Sequence, residues 1–179
     1  MTSILALSGS LRRASFNTAL VRAAIEMAPA GIAVTTFDLR PIPFYDGDVE
    51  ADGFPPPVAA LREAVVAADG ILLCSPEYNA SVPALLKNAI DWASRPPGVV
   101  QKKPIALSGA SPGGFGTVRG QIAWRQTLAN LSVPLHAGGL LVTGASDKFD
   151  ADGNLTDART REELAALLTA FAAWIARVA

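Results

Sequence analysis

Short apolar segments alternate along the chain with segments in which apolar residues recur every three or four positions. Five of the short segments predict β-strands, because each is apolar at successive positions and flanked by turn-forming residues. Strands of this kind are typical of a parallel sheet that is covered on both faces. The predicted strands are residues 3–7, 33–37, 71–74, 105–107 and 140–142.

Helical spacing fills the segments between the predicted strands. It is clearest from Val82 to Ala93, where Ser81 is the expected N-cap, and again in the last helix, where Thr160 and Glu163 have capping-box spacing. Five strand–helix units predict an α/β protein with right-handed crossovers. The expected fold is a flavodoxin-like three-layer sandwich: a five-stranded parallel sheet of order 2-1-3-4-5 with helices on both faces. We expect residues 1–179 to form a single domain.

Composition narrows the choice of partners and compartment. A net charge of −1 over 179 residues argues against nucleic acid and against an anionic membrane surface. Cys74 is the only cysteine, so the chain can form no intrachain disulfide and no cysteine-built metal site. With no signal-peptide pattern and no run of about 18 apolar residues, we expect a cytoplasmic protein.

The loop after the first strand has the composition of an anion site. Residues 8–17 are rich in hydroxyl side chains and turn into a helix near Asn17, whose N-terminal N–H groups would favour a negative charge. Ser10, Ser15 and Asn17 can add donors, and Arg12 a charge-assisted contact. Neither dinucleotide nor P-loop glycines are present, which favours a terminal phosphate monoester. The alternative is an ordinary loop capped by serine and asparagine.

The loop after the third strand is stiff and polar. Pro76 and Pro83 flank Glu77, Tyr78 and Asn79, and such a loop can present backbone N–H groups to a flat ring. The alternative interpretation is a capped loop with an exposed tyrosine.

The loop after the fourth strand is rich in glycine. Four glycines within eight residues, from Gly109 to Gly116, would let the backbone approach a ligand closely. We predict that residues 108–114 form the third wall of the same pocket.

Together these loops resemble the NADPH-dependent FMN reductase family, the flavodoxin-like group that includes quinone, azo-compound and chromate reductases. The resemblance covers nearly the whole chain. It is carried by Gly9-Ser10-Leu11-Arg12, Ser15-Phe16-Asn17, Pro76-Glu77-Tyr78-Asn79, Ser81-Val82-Pro83, Leu86-Lys87-Asn88-Ala89-Ile90-Asp91-Trp92 and Ser111-Pro112-Gly113 followed by Arg119.

The resemblance implies which residues bind the cofactor. The first loop would hold the FMN phosphate, the third would border the flavin ring, and the fourth would close the far side. The expected cofactor-binding residues are Ser10, Arg12, Ser15, Phe16, Asn17, Pro76, Glu77, Tyr78, Asn79, Ser108, Ser111, Gly113 and Gly114.

The implied activity is ping-pong hydride transfer from NADPH or NADH through bound FMN to quinones, azo or nitro compounds, or chromate. The flavin carries the chemistry, so we expect no catalytic acid or base and no metal, and Tyr78 would at most position a reactant. Arg13 and Arg119 are candidate contacts for a coenzyme phosphate. The alternative is a flavodoxin-type electron carrier, which is typically strongly acidic; the net charge of −1 argues against it.

The resemblance also implies a homodimer or homotetramer. The polar residues that some relatives carry at the positions of Leu135 and Ile122 are absent here, and Trp92 is expected in either an interface or the core. We expect His136 and Cys74 to be structural. Residues 147–154 resemble a calcium loop but lack its final glutamate, so a polar hairpin is expected instead.

Overall fold

The computed structural model describes residues 1–178, which contain five β-strands and six α-helices. The sheet is parallel throughout, with the order β2-β1-β3-β4-β5. The predicted fold class and strand order are therefore confirmed. The strands are β1 (Thr2–Ser8), β2 (Ile32–Thr36), β3 (Gly70–Cys74), β4 (Ile105–Ala110) and β5 (Leu135–Val142), and the helices are α1 (Phe16–Glu26), α2 (Gly47–Ala51), α3 (Pro56–Ala67), α4 (Ala84–Ser94), α5 (Val118–Asn130) and α6 (Ala158–Val178).

Alternate residues of the central strands build two separate hydrophobic layers. Ile4 and Ala6 of β1 belong to the layer that packs under α1 and α6, whereas Leu5 and Leu7 belong to the layer under α3, α4 and α5. Side chains of a strand point to opposite faces at successive positions, so one apolar run supplies both layers. This is why the continuous apolar pattern of β1, β3 and β4 predicted a covered sheet.

The two edge strands depart from that expectation. Thr35 and Thr36 of β2 are exposed, and so are residues 137–139 of β5. An edge strand has a neighbour on one side only and lies at the margin of the helical layers, so part of its surface stays in water. The prediction that all five strands are covered on both faces is wrong for these two.

Two helix starts also differ from the predicted ones. Asp157 caps α6, because its Oδ1 accepts hydrogen bonds from the backbone N–H and the hydroxyl of Thr160. Glu163, the second residue of the predicted capping box, pairs instead with Arg159. Ser81 does not cap α4, which begins three residues later at Ala84, directly after Pro83. Ser81 instead forms an isolated β-bridge with Tyr78.

His136, Trp92 and the segment that resembles a calcium loop all have structural roles. His136 packs edge-on against Phe171 and Trp174, with ring centroids 5.7 and 5.4 Å away. Trp92 is fully buried in the core, and its Nε1 donates to the Pro43 carbonyl at 2.9 Å. The segment that resembles a calcium loop closes as a hairpin through a bridge between Phe149 and Leu155.

A buried arginine ties α3 to the end of α4. The Arg62 side chain donates to the carbonyl oxygens of Trp92, Arg95 and Pro97 at 2.9, 3.1 and 2.6 Å. Its guanidinium also lies 4.1 Å from the ring centroid of Phe54. The last carbonyls of a helix have no partner within the helix, so Arg62 satisfies groups that burial would otherwise leave unpaired.

Because all five strands run in the same direction, their carboxyl ends meet at one edge of the sheet. The loops after β1, β3 and β4 follow neighbouring strands in the order β1-β3-β4, so they lie side by side at this edge. Gly9 allows the first two loops to touch: a Cβ there would come within 2.7 Å of both Pro76 and Leu86. This close approach makes a single site from residues far apart in the chain.

Candidate cofactor and active site

A small cleft of about 90 Å³ lies where the three loops meet. Nine of the residues predicted to bind FMN line it. The cleft is lined by Ser10, Arg12, Ser15, Phe16, Asn17, Pro76, Glu77, Tyr78, Ala110, Ser111 and Pro112. We call it the first cleft.

The groups at the start of α1 suit a phosphate. Ser15 is the N-cap, its hydroxyl accepting from the Thr18 N–H at 3.3 Å, so the helix begins directly beside the cleft. Among the described residues, the backbone N–H groups of Phe16 and Asn17 donate to no protein acceptor. Unpaired N–H groups at a helix N-terminus, with exposed Arg12 nearby, are the donors that a phosphate monoester requires.

Asn17 has a different side-chain position from the one the resemblance implies. Its Nδ2 donates to the Ala110 carbonyl and its Oδ1 accepts from the Ala110 N–H, both at 2.9 Å, and the residue is only 4% exposed. Both polar atoms are therefore engaged with the end of β4. The side chain clamps the first loop to the fourth, and the Asn17 backbone N–H and the second Nδ2 hydrogen have no protein acceptor among the described residues.

A second, wider cleft of about 350 Å³ adjoins the first and shares Glu77 and Ser111 with it. Its volume is large enough for a flat ring system. The second cleft is lined by Glu77, Asn79, Ala80, Ser111, Gly113, Phe115, Gly116 and Arg119.

One wall of the second cleft is a tight turn. Tyr78 and Ser81 exchange backbone hydrogen bonds of 3.2 and 3.0 Å, and the two residues between them have left-handed backbones, with φ of 50° at Asn79 and 59° at Ala80. Asparagine tolerates this conformation better than alanine, for which it costs roughly 1–2 kcal/mol. The N–H groups of these two residues have no protein acceptor among the described residues and are available to a ligand.

The Glu77 carboxylate forms hydrogen bonds with residues at the start of α5. Its Oε2 accepts from the backbone N–H groups of Arg119 and Gly120 at 2.9 and 3.1 Å, and its Oε1 accepts from Arg119 Nε at 2.8 Å. A carboxylate at a helix N-terminus satisfies unpaired donors and complements the helix dipole. Glu77 thus joins the third loop to α5 along the border of both clefts.

Ser75 fixes the start of the third loop through buried hydrogen bonds. This residue was not identified from the sequence. The Trp124 indole donates to the Ser75 hydroxyl at 2.8 Å, and that hydroxyl donates to the Pro76 carbonyl at 3.0 Å. Ser75 and Trp124 are both buried. A serine directly after an apolar strand and before proline was the available signal, but its partner on α5 appears only in three dimensions.

Two predicted site residues lie in neither cleft. Ser108 is fully buried within β4, because this strand extends to Ala110 and the loop begins only at Ser111. Gly114 is exposed beside the second cleft, where an added Cβ would meet nothing within 4 Å. Arg13 lines a third cleft against residues 150–153, which shares Ser15 and Phe16 with the first cleft, whereas Arg119 lines the second cleft.

Cys74 is next to the site but has no exposed surface. Burial raises the pKa of its thiol to about 12. The thiol therefore stays protonated near neutral pH, as expected for a buried structural cysteine.

The sheet order, the cleft at the start of α1 and the adjoining wide cleft are typical of flavin-binding proteins of the flavodoxin-like fold. A family model described as NADPH-dependent FMN reductase matches residues 2–147. The chain therefore belongs to this family, whose members use NAD(P)H and FMN.

Relatives of known activity cover almost the whole chain. An NAD(P)H-dependent FMN reductase of Pseudomonas aeruginosa is 46% identical over 177 residues, covering 98% of this chain and 96% of the relative. An NADPH:quinone oxidoreductase of Arabidopsis thaliana is 43% identical, covering 98% and 92%. The solved structure of FerB, a flavoenzyme NAD(P)H:(acceptor) oxidoreductase from Paracoccus denitrificans, is 29% identical with a TM-score of 0.89, covering 99% of both chains.

Proposed function

We propose that this protein is an NAD(P)H:quinone oxidoreductase that binds FMN across the two adjoining clefts. The observation that carries the proposal is their shared border. A cleft lined by hydroxyl groups, an arginine and the start of α1 opens beside a wider one, at the carboxyl edge of a flavodoxin-like sheet.

In this arrangement the first loop binds the phosphate. Arg12 supplies a positive charge, the backbone N–H groups of Phe16 and Asn17 supply hydrogen bonds, and the Ser10 and Ser15 hydroxyls lie in the same cleft. The Ser10 hydroxyl is also within 3.4 Å of the Tyr78 hydroxyl, which links the phosphate loop to the ring loop.

The ring would be bordered by the turn at residues 78–81 and by Ser111 and Gly113. The turn offers its two unpaired N–H groups, and Gly113 leaves open space: a Cβ there would meet no atom closer than 3.6 Å. Ser75 and Asn17 hold the surrounding loops in place from below.

FMN held in these clefts would supply two-electron transfer between NAD(P)H and the acceptor. The overall reaction is NAD(P)H + H⁺ + quinone → NAD(P)⁺ + hydroquinone, in which two protons and two electrons reach the quinone. Quinones are the proposed acceptors because several relatives carry that activity, including the Arabidopsis enzyme at 43% identity. Tyr78, which is 46% exposed at the border of the first cleft, is the proposed positioning residue for a reactant.

We also propose a cytoplasmic homodimer or homotetramer in which residues 1–179 act as one domain. Within residues 1–178, no helix is long and apolar enough to cross a membrane.

The first experiment is a visible absorption spectrum of the desalted protein, followed anaerobically after addition of NADPH and, in parallel, NADH. We expect a flavin spectrum that bleaches within seconds and returns when a quinone is added. A flavin that binds but is not reduced by either coenzyme would contradict the reductase and favour an electron carrier.

The site assignment has its own test, with Arg12→Ala and Arg13→Ala as a matched pair. We expect Arg12→Ala to weaken FMN binding while leaving riboflavin binding unchanged, because only FMN carries the phosphate. Arg13→Ala removes an equal charge from a neighbouring residue that does not line the first cleft, and it should lower the FMN affinity much less than Arg12→Ala does. An equal loss in both variants would mean that the phosphate lies elsewhere.

A further inference from the structure

Arg119 is the single cationic side chain among the eight residues that line the second cleft. The only other charged residue there is Glu77, whose two carboxylate oxygens together receive three N–H donors. The carboxylate is therefore largely satisfied by α5. Arg119 is therefore the charged side chain of this lining that remains available to an anionic ligand.

The Glu77 ion pair fixes the arginine without using all its donors. Arg119 Nε donates to Glu77 Oε1 at 2.8 Å, while the Arg119 side chain remains 60% exposed. Among the described residues, its two terminal amino groups have no hydrogen-bond acceptor. A guanidinium held at Nε with free terminal amino groups is oriented to bind an anionic group.

An exposed aromatic ring stands next to this guanidinium. Phe115 is 73% exposed, and the Arg119 guanidinium carbon lies 5.8 Å from its ring centroid. An exposed phenylalanine loses unfavourable contact with water when a flat molecule covers its face, and stacked or edge-to-face aromatic pairs gain more than the burial of area alone. The cleft therefore combines a flat apolar contact with an adjacent positive charge.

We propose that Arg119 and Phe115 make this enzyme selective for planar aromatic acceptors that carry an anionic substituent, such as a sulfonate, a carboxylate or an ionised hydroxyl group. Phe115 contacts the ring of the acceptor, and Arg119 pairs with its charge. This inference rests on the proposed function, because it assigns a substrate class to the same cleft.

The test compares 1,4-naphthoquinone with 1,4-naphthoquinone-2-sulfonate on the FMN-loaded enzyme. We expect Arg119→Gln to lower the ratio of kcat/KM for the sulfonated over the neutral quinone about tenfold, the size of one lost charged hydrogen bond. A change in flavin reactivity affects both quinones equally, so it cancels in this ratio. Arg125→Gln is the matched control: it removes an equal charge from the same helix at a residue lining neither cleft, and should leave the ratio unchanged.

Binding without turnover gives a second readout. We expect 2-naphthalenesulfonate to perturb the visible spectrum of the oxidised enzyme at lower concentration than uncharged 2-naphthol, with this preference lost in Arg119→Gln. In the unmodified enzyme, raising the salt from 0.05 to about 0.5 M should weaken sulfonate binding but not naphthol binding, since salt screens the ion pair.

The outcomes separate the two proposals. If the enzyme reduces neither quinone, the proposed function itself fails. If it reduces both, and the kcat/KM ratio and the sulfonate preference are the same in Arg119→Gln as in the unmodified enzyme, the acceptor selectivity is refuted while the reductase stands. The salt experiment needs no variant, and an equal salt response of both ligands would also refute the selectivity.

Discussion

The Asn17 clamp makes a prediction about stability that can be worked out from its geometry. Asn17→Ala removes two hydrogen bonds of 2.9 Å between the start of α1 and the Ala110 backbone, where Ala110 is 4% exposed. Each such bond contributes about 0.5–1.5 kcal/mol, and a buried group left unpaired costs about 1–3 kcal/mol. Because both Ala110 groups lose their partner, we expect a loss of about 3 kcal/mol in the free energy of unfolding.

The assay is urea denaturation of the flavin-free protein. With a denaturant slope of about 2 kcal/mol per molar for a chain of this size, the midpoint should fall by about 1.5 M. Asn130→Ala, at an exposed asparagine ending α5, is the matched control and should leave the midpoint nearly unchanged. A loss below about 0.5 kcal/mol in Asn17→Ala would refute the reasoning.

Flavin binding separates a clamp from a direct phosphate ligand. If Asn17 acts by holding the first and fourth loops together, Asn17→Ala should weaken FMN and riboflavin binding by similar factors. A loss confined to FMN would show that the asparagine side chain contacts the phosphate, as the family resemblance implied.

Three other residues give independent predictions. Arg62→Met should lower the free energy of unfolding by about 2–3 kcal/mol, because the carbonyls at the end of α4 lose a buried charged donor. Urea denaturation measures this loss, and an unchanged midpoint would contradict it. Ala80→Gly should raise stability by about 1 kcal/mol in the same assay, since glycine adopts a φ of 59° without strain; a decrease would show that the turn is not strained. Cys74, with a thiol pKa of about 12 and no exposed surface, should not react with Ellman's reagent at pH 8 until urea unfolds the protein; rapid labelling of the native protein would contradict its burial.

The local sequence determined the secondary-structure elements and the order of the strands in the sheet. Apolar runs such as residues 71–74 have a strand pattern whatever surrounds them, and alternation with helical spacing leaves few topologies for five parallel strands. The first loop was also recognisable, because hydroxyl residues, an arginine and a following helix are adjacent in the chain. These features depend on neighbours a few positions away, so they can be read from one sequence.

Tertiary structure decided which atoms of those loops remain available. Asn17 was predicted to hold the FMN phosphate and Glu77 to border the flavin ring. Both line the clefts, and their polar side-chain atoms also bond to Ala110 and to the start of α5, which lie 93 and 42 residues away. Ser108 was placed in a loop, but pairing with β5 extends β4 past it to Ala110. Ser75 and Phe115 acquire their importance only from neighbours on other elements. A hydrogen bond depends on distances of a few tenths of an ångström between distant segments, whereas a residue type shows only that a donor or acceptor exists. The sequence therefore determined the fold and the kind of site, and the packing of the three loops decided which residue performs each role.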